Sequence, residues 1–221
     1  MATIGERITD LIGSDYSVIP ANSKADLINA AINEVADLLP SELLLKYAVD
    51  PINLTNSDPA SSAVKGKKIL LVTRLDGSGG YNRECMPVSI EDFQKAKDSN
   101  SIYHATKFSP VYSYETDAGS TTLTVYPTPI TNEEGKIYYY EYLDSDQSGS
   151  TTPTGFPDEA VQAIVLKSSI NILQAYISDF VQDEEDQEMQ SMINGQIQSL
   201  GALYTVEINR FREPDGTPRG E

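Results

Sequence analysis

His104 is the only imidazole in the 221 residues, so a general acid–base mechanism built on histidine would have to run through it. A nucleophilic triad would also need an activated serine and an orienting carboxylate. No serine here stands in a Gly-x-Ser-x-Gly setting, and His104 is expected to be structural or exposed. Asp76-Gly-Ser-Gly-Gly80 has enough glycine to cradle a phosphate, but no helix opens after it and no Gly-Lys-Ser/Thr follows. It reads as a hairpin turn. Paired acids occur at Glu133-Glu134, Asp144/Asp146, Asp158-Glu159 and through 183–188. Glycosidases place two carboxylates about 5 to 9.5 Å apart in a cleft. The acids here fall in turns and at helix ends, and the chain has no Trp to line a sugar site. The run 183–186 lacks the spaced ligands and central glycine of an EF-hand loop. Cys85 is single, which excludes an intrachain disulfide and a cysteine-based zinc site. The expectation is no enzyme: no catalytic residue, no cofactor and no metal.

Composition points the same way. Net charge is −17. Phosphate binding requires clustered Lys and Arg, and only Lys65-Gly66-Lys67-Lys68 forms a cluster, beside a strand. So acidic a surface disfavours wrapping nucleic acid, but it suits the wall of a channel through which DNA must slide without sticking. At 39% hydrophobic residues the chain reads as globular, and no apolar run approaches the ~20 residues of a membrane span. The first residues, from Met1 to Arg7, lack the basic and apolar regions of a secretory signal. Synthesis in a reducing cytoplasm is expected, and the Asn53-Leu-Thr55 sequon carries little weight.

Residues 3–12 carry Ile4, Ile8, Leu11 and Ile12 at helical spacing. Ser23 is expected to cap a second helix, with Ile28, Ile32, Val35 and Leu39 on its apolar face and Pro40 closing it. Residues 41–47 suggest a short helix. The polar stretch 50–67 reads as a loop. Strands are expected at 68–74, 83–89, 102–108, 111–116, 121–126 and 136–143, with a short helix at 90–97. Tyr112/Tyr114 and Tyr138/Tyr140/Tyr142 recur at period two, which places each set on one sheet face. With thirteen Tyr in the chain, some are candidates for an interface. After a polar linker at 144–154, residues 157–181 are apolar on almost every face. Such a helix must be enclosed by other elements or other subunits. Ile164, Leu166, Ile172, Leu173 and Phe180 are its expected core.

A second helix is expected over 184–204, after the acidic hinge, with Met189, Ile193, Ile197, Leu200 and Tyr204 every three or four residues. Residues 207–221 have a composition that cannot order itself and are expected to order on a partner. Within them Arg210, Phe211 and Arg212 set an aromatic between two cations, a combination suited to a partner groove. The fold class is α+β: a helical bundle carrying an inserted antiparallel β-sandwich or barrel. The expected divisions are 1–50 and 155–206 for the bundle, 51–154 for the β-rich insertion and 207–221 for a C-terminal arm. Candidate interface residues are Met189, Ile193, Ile197, Arg210, Phe211 and Arg212.

Four stretches carry a family resemblance. They are the N-terminal helical pair through Pro40, Ser109-Pro-Val-Tyr-Ser-Tyr114, and Leu123-Thr-Val-Tyr-Pro-Thr-Pro129 with Lys136-Ile-Tyr-Tyr-Tyr-Glu-Tyr142. The fourth is Phe156-Pro-Asp-Glu-Ala160 with the long helix it opens. In order and kind of element the chain resembles the head-to-tail adaptor proteins of tailed bacteriophages, including the podovirus type called tail tubular protein A. The resemblance implies a virion protein of the neck, made in the bacterial host cytoplasm. It further implies a ring, usually of twelve copies, that docks beneath the portal and extends the DNA channel. The ring would offer a platform to the next neck or tail protein, pass double-stranded DNA without specific binding, and need no membrane. The competing reading is another phage structural or binding module, such as a baseplate, fibre-attachment or capsid decoration protein whose β-domain presents tyrosines. A cell-wall hydrolase is the third reading, and it would need activity from the acidic pairs.

Overall fold

The computed structural model describes residues 3–13, 16–48, 50–56, 58, 60–78, 80–117, 120–143, 156–180 and 187–211. Among them are six α-helices and eight strands, an α+β fold. The chain divides into two compact units. Met1–Leu44 with Leu143–Glu221 form a helical unit, and Leu45–Tyr142 form a β-rich unit. The linker 144–154 and the acidic hinge 183–186 lie outside the described residues.

In the helical unit, α1 (Ile4–Ile12) starts from a full capping box. The Thr3 hydroxyl accepts from the Glu6 N–H, and the Glu6 carboxylate accepts from the Thr3 N–H. Gly13 ends α1 in the left-handed conformation at φ 72°. The second helix, α2 (Ala21–Leu38), begins earlier than the Ser23 cap expected from sequence. Pro20 holds the N-cap with φ −54°, no side chain caps the helix, and Ser23 lies inside the first turn. Proline's fixed φ suits the turn into the helix, and the Pro20 carbonyl accepts the first intrahelical bond, from the Lys24 N–H at 3.0 Å. A short α3 (Ser41–Leu45) follows Pro40.

After a 3-10 turn at Asp158–Ala160 comes α5 (Val161–Phe180), which contacts α1, α2 and α6 (Gln187–Asn209). Ile164 and Leu173 are completely buried, and Leu166 and Ile172 nearly so. Each such side chain stabilises the fold by about 1.5–3 kcal/mol relative to exposure. The Phe180 side chain lies outside the description. Between the large residues, Ala160, Ala163, Ser168 and Ser169 are fully buried and let neighbouring backbones approach. Polar ties fix the registry. Lys167 pairs with Glu34 at 2.8 Å, Arg7 donates to Gln162, and Asn33 exchanges two hydrogen bonds with the backbone of Leu143. By length and composition, Asp158–Ser178 is apolar enough to cross a bilayer, contrary to the expectation that no such run exists. Its burial against three helices accounts for that character within the fold.

The β-rich unit is a sandwich. One sheet has the order β1 (Ile52–Leu54), β8 (Gly135–Glu141), β3 (Lys67–Leu75), β4 (Asn82–Glu84). The other has β2 (Ala60–Ser61), β7 (Ser120–Tyr126), β6 (Val111–Asp117), β5 (Met86–Pro87). Leu54, Val72 and Ile137 from the first sheet meet Leu123 and Val125 from the second, and Val64 and Cys85 complete the core. Pairing is antiparallel throughout except for the short parallel contact of β5 with β6. Gly135 is required where β8 crosses β3, since a Cβ there would stand 2.6 Å from the Thr73 carbonyl oxygen.

Three sequence expectations change here. The stretch 50–67 is not all loop: it holds β1, β2 and the buried Val64. These strands have two or three residues, too few to show a period. The strand expected over 83–89 is two pieces in different sheets. Cys85 donates to the Val72 carbonyl at 2.8 Å, and Met86 then donates to Pro110 across the sandwich at 3.0 Å. The strand expected at 102–108 is a series of turns. Asp98 accepts from Asn100 N–H and Ser101 from Tyr103 N–H, local bonds that replace a ladder, and Ile102 is left 91% exposed. The helix α4 (Ile90–Lys97) forms where expected, capped by Ser89.

Candidate assembly interface

The residues with chemical potential are tied into structure. His104 Nδ1 lies 3.1 Å from the Ala96 carbonyl, and its ring meets Tyr126 edge-on at 6.1 Å. In the glycine-rich turn between β3 and β4, the Asp76 carboxylate accepts from the Ser78 N–H and hydroxyl and from Arg83 Nε, at 2.8, 2.7 and 2.9 Å. Those bonds, the Ser78 amide first, hold Asp76 below its ordinary pKa. The amide that could have met a phosphate is thus used internally. Glu133 is bound by the buried Arg74. Asp158 and Glu159 sit exposed at the start of the 3-10 turn, where they complement the helix dipole. Asp144, Asp146 and 183–186 lie outside the described residues. Cys85 is 2% exposed, and burial pushes its thiol up to about 12. Among the described residues no three His, Cys, Asp or Glu side chains converge on a common point.

What the fold does present is α6. This 23-residue helix, about 35 Å long, carries two apolar stripes. Ile193, Leu200 and Ile208 turn into the helical unit and are buried. Met189, Met192, Leu203 and Val206 lie on the exposed side, at 45%, 72%, 54% and 65% exposure. Their spacing of three, eleven and three residues keeps them on one face, with Gln196 and Ser199 filling the intervening turns.

Charge makes this face stand out. The helical unit contains 6 Lys and Arg against 21 Asp and Glu, a net of −15; the β-rich unit contains 10 against 12, a net of −2. Yet α6 has no Asp, Glu, Lys or Arg anywhere from Met189 through Val206. Like-charged units repel wherever carboxylates are brought together, so a neutral, partly apolar strip is where two such surfaces meet at least cost. At the N-terminal end of the strip a pocket of about 480 Å³ opens beside Met189 and Met192, walled by Ile12, Tyr16, Val18 and Tyr176. Tyr16 and Tyr176 meet edge to face at 4.7 Å, and desolvation, then Tyr176, raises the Tyr16 pKa.

The sequence-derived candidates fall in different places. Met189 is on the exposed strip, Ile197 is half-buried, and Ile193 belongs to the chain's own core at 6% exposure. Arg210, just past the end of α6, is exposed and engages Glu207 in the last turn of that helix through two 2.9 Å bonds. Phe211 is half-buried, and Arg212 lies outside the described residues. Residues 207–209, expected in a partner-ordered arm, are the last turn of α6, and Ile208 is 4% exposed. Its apolar side chain anchors that turn in the helical unit. Sequence reasoning missed Met192, Leu203 and Val206; the signal was the long absence of charge in so acidic a chain.

No curated protein matches the chain. A model of the SU10 adaptor protein family matches residues 2–217, nearly its whole length, and the protein belongs to that family of phage structural adaptors.

Proposed function

We propose that the protein is a head-to-tail adaptor that assembles as a ring beneath the portal, extends the DNA channel and joins the capsid to the tail, in the manner of the tail tubular protein A type. The observation that carries this reading is the uncharged, apolar strip of α6 in a helical unit of net −15. Subunits pack along that strip, and a neighbour's side chain fills the pocket beside Met189 and Met192. The ring holds about twelve copies by resemblance. The segment that follows α6, with Arg210, Phe211 and Arg212, serves as an arm to the portal or the adjacent subunit. Duplex DNA passes along an acidic wall without specific binding, and the next neck or tail protein docks on the opposite side. The protein works in the virion neck after synthesis in the host cytoplasm, and it requires no cofactor or membrane.

Light scattering of the full chain, alone and mixed with the portal protein, tests the reading. A single species with the mass of a closed ring, or of a ring on the portal, is the expected result. A chain that stays monomeric under both conditions overturns it and favours a stand-alone binding module.

A further inference from the structure

The β-rich unit has a feature that the ring reading leaves unused. The strand β3 enters at Lys67, beside Glu141 where the chain is about to leave the sandwich, and ends at Leu75, paired with Asn82. The opposite end of the sandwich from the chain crossings is therefore built by the β3–β4 turn, the 98–110 turns and the 127–134 loop. At that end Phe108 is 55% exposed, with Arg83 Cζ 5.8 Å and Lys107 Nζ 5.4 Å from its ring. Tyr81 and Ile130 are 66% and 53% exposed. They belong to the same end: the Tyr81 carbonyl accepts from the Asp76 N–H at 3.1 Å, and the Ile130 carbonyl accepts from the Glu133 N–H at 2.8 Å.

The charges here are layered. The carboxylates lie beneath, with the Asp76 side chain fully buried and that of Glu133 12% exposed. The cations lie above, with the Arg83 and Lys107 side chains 43% and 42% exposed. Arg83 Nε bonds Asp76 at 2.9 Å and Lys107 Nζ lies 4.0 Å from Glu133, and each carboxylate also has a second partner, Ser78 for Asp76 and Arg74 for Glu133. The surface that a partner meets is thus an aromatic ring flanked by two positive heads. Glu84 at the end of β4 and Glu134 in the loop before β8 are exposed, which limits the positive region to the surroundings of Phe108. Aromatic and arginine side chains together are the composition of interface hot spots, and cations over a ring gain when water is excluded.

We propose that this end of the sandwich docks on the helical unit of a second copy of the chain, with Phe108 covered and Arg83 and Lys107 facing its carboxylates. The helical unit's net charge of −15 is the complementary surface. The contact is heterologous, joining unlike surfaces of the two copies, and so propagates from copy to copy. It rests on the ring reading and adds a second contact to the α6 strip.

The test is sedimentation equilibrium of the full chain, with circular dichroism melting to confirm that each variant folds. Wild-type self-association is expected to weaken as salt rises from about 50 mM to about 500 mM, because opposite charges are being screened. Lys107→Glu/Phe108→Ser is expected to weaken it at least about tenfold, and Lys65→Glu, the same charge change at the other end of the sandwich, about twofold or less. Arg83→Gln, which keeps a donor for Asp76, provides a second variant that spares the turn, and it is expected to reduce the salt dependence. The inference is overturned if the double variant associates like wild type. It is also overturned if salt strengthens wild-type association, the sign that repulsion between −17 chains dominates. A wild-type chain that forms a ring only on the portal overturns this contact while leaving the ring reading intact.

Discussion

Leu173 and Leu203 offer the same chemical change in two settings, and their contrast tests the assignment of the two apolar faces. Leu173 is completely buried in α5, a helix that contacts α1, α2 and α6; Leu203 is 54% exposed on α6. Truncating Leu173 to Ala removes buried methyl groups and leaves a cavity that a close-packed site cannot refill, at a cost of about 2–5 kcal/mol. For a protein of this size that lowers Tm by roughly 5 °C or more. Leu203→Ala exposes little new apolar surface, so its cost to the monomer should stay within about 0.5 kcal/mol. In the assembly the order reverses. Completing the burial of a half-exposed leucine is worth about 1 kcal/mol, so Leu203→Ala should weaken each subunit contact about fivefold. Calorimetric melting of the monomer and mass distribution against concentration supply the two readouts. Equal Tm losses in the two variants would refute the reasoning, because α6 would then be core on both faces. An unchanged Tm in Leu173→Ala would remove α5 from the centre of the bundle.

Cys85 should react with a maleimide at about pH 8 at least about 100-fold more slowly in the native protein than in urea, because burial raises its pKa and blocks access; equal rates would place it at the surface. The Asp76 pKa is lowered on folding, so its stabilising contribution is complete above the ordinary value of 3.8 and is lost as pH falls through the folded value. Asp76→Asn should accordingly be less stable than wild type in urea titrations at about pH 7, with the gap closing below about pH 4; a gap independent of pH would contradict the assignment. The assembled protein should bind linear duplex DNA weakly or not at all at about 150 mM salt in a gel-shift or anisotropy assay, and submicromolar binding would refute an acidic, non-sticking channel wall.

The longer elements were legible in the sequence. The strands β6 and β8 declare themselves through tyrosines at period two, β3 through a compact apolar run, and α5 through its length and apolar character on almost every face. Two kinds of feature were not legible. The first is structure too short for a period, such as β1, β2 and the change of sheet at Cys85, where partners decide the conformation. The second is the assignment of stripes on a helix that has two. In α6 both Ile193 and Met192 are apolar and adjacent in sequence, and only packing tells that one faces the chain's own core at 6% exposure and the other lies 72% exposed. The turns at 98–108 mislead for a related reason: Ile102, Tyr103 and Phe108 favour strands by propensity, but Asp98 and Ser101 bond the local backbone first.

The split make-up of the helical unit has a consequence in time. Its first segment ends at Leu44, but the helix that covers α1 and α2 is not complete until Phe180. During synthesis the whole β-rich unit emerges in between, at about 5–20 residues per second. Ile4, Ile8, Ile28 and Ile32 therefore wait on the order of ten seconds for α5 to bury them. The sandwich, contiguous in sequence, can close first. The nascent chain thus carries a finished domain on an unfinished stem, and its exposure to misassociation ends only when the ribosome has passed α5.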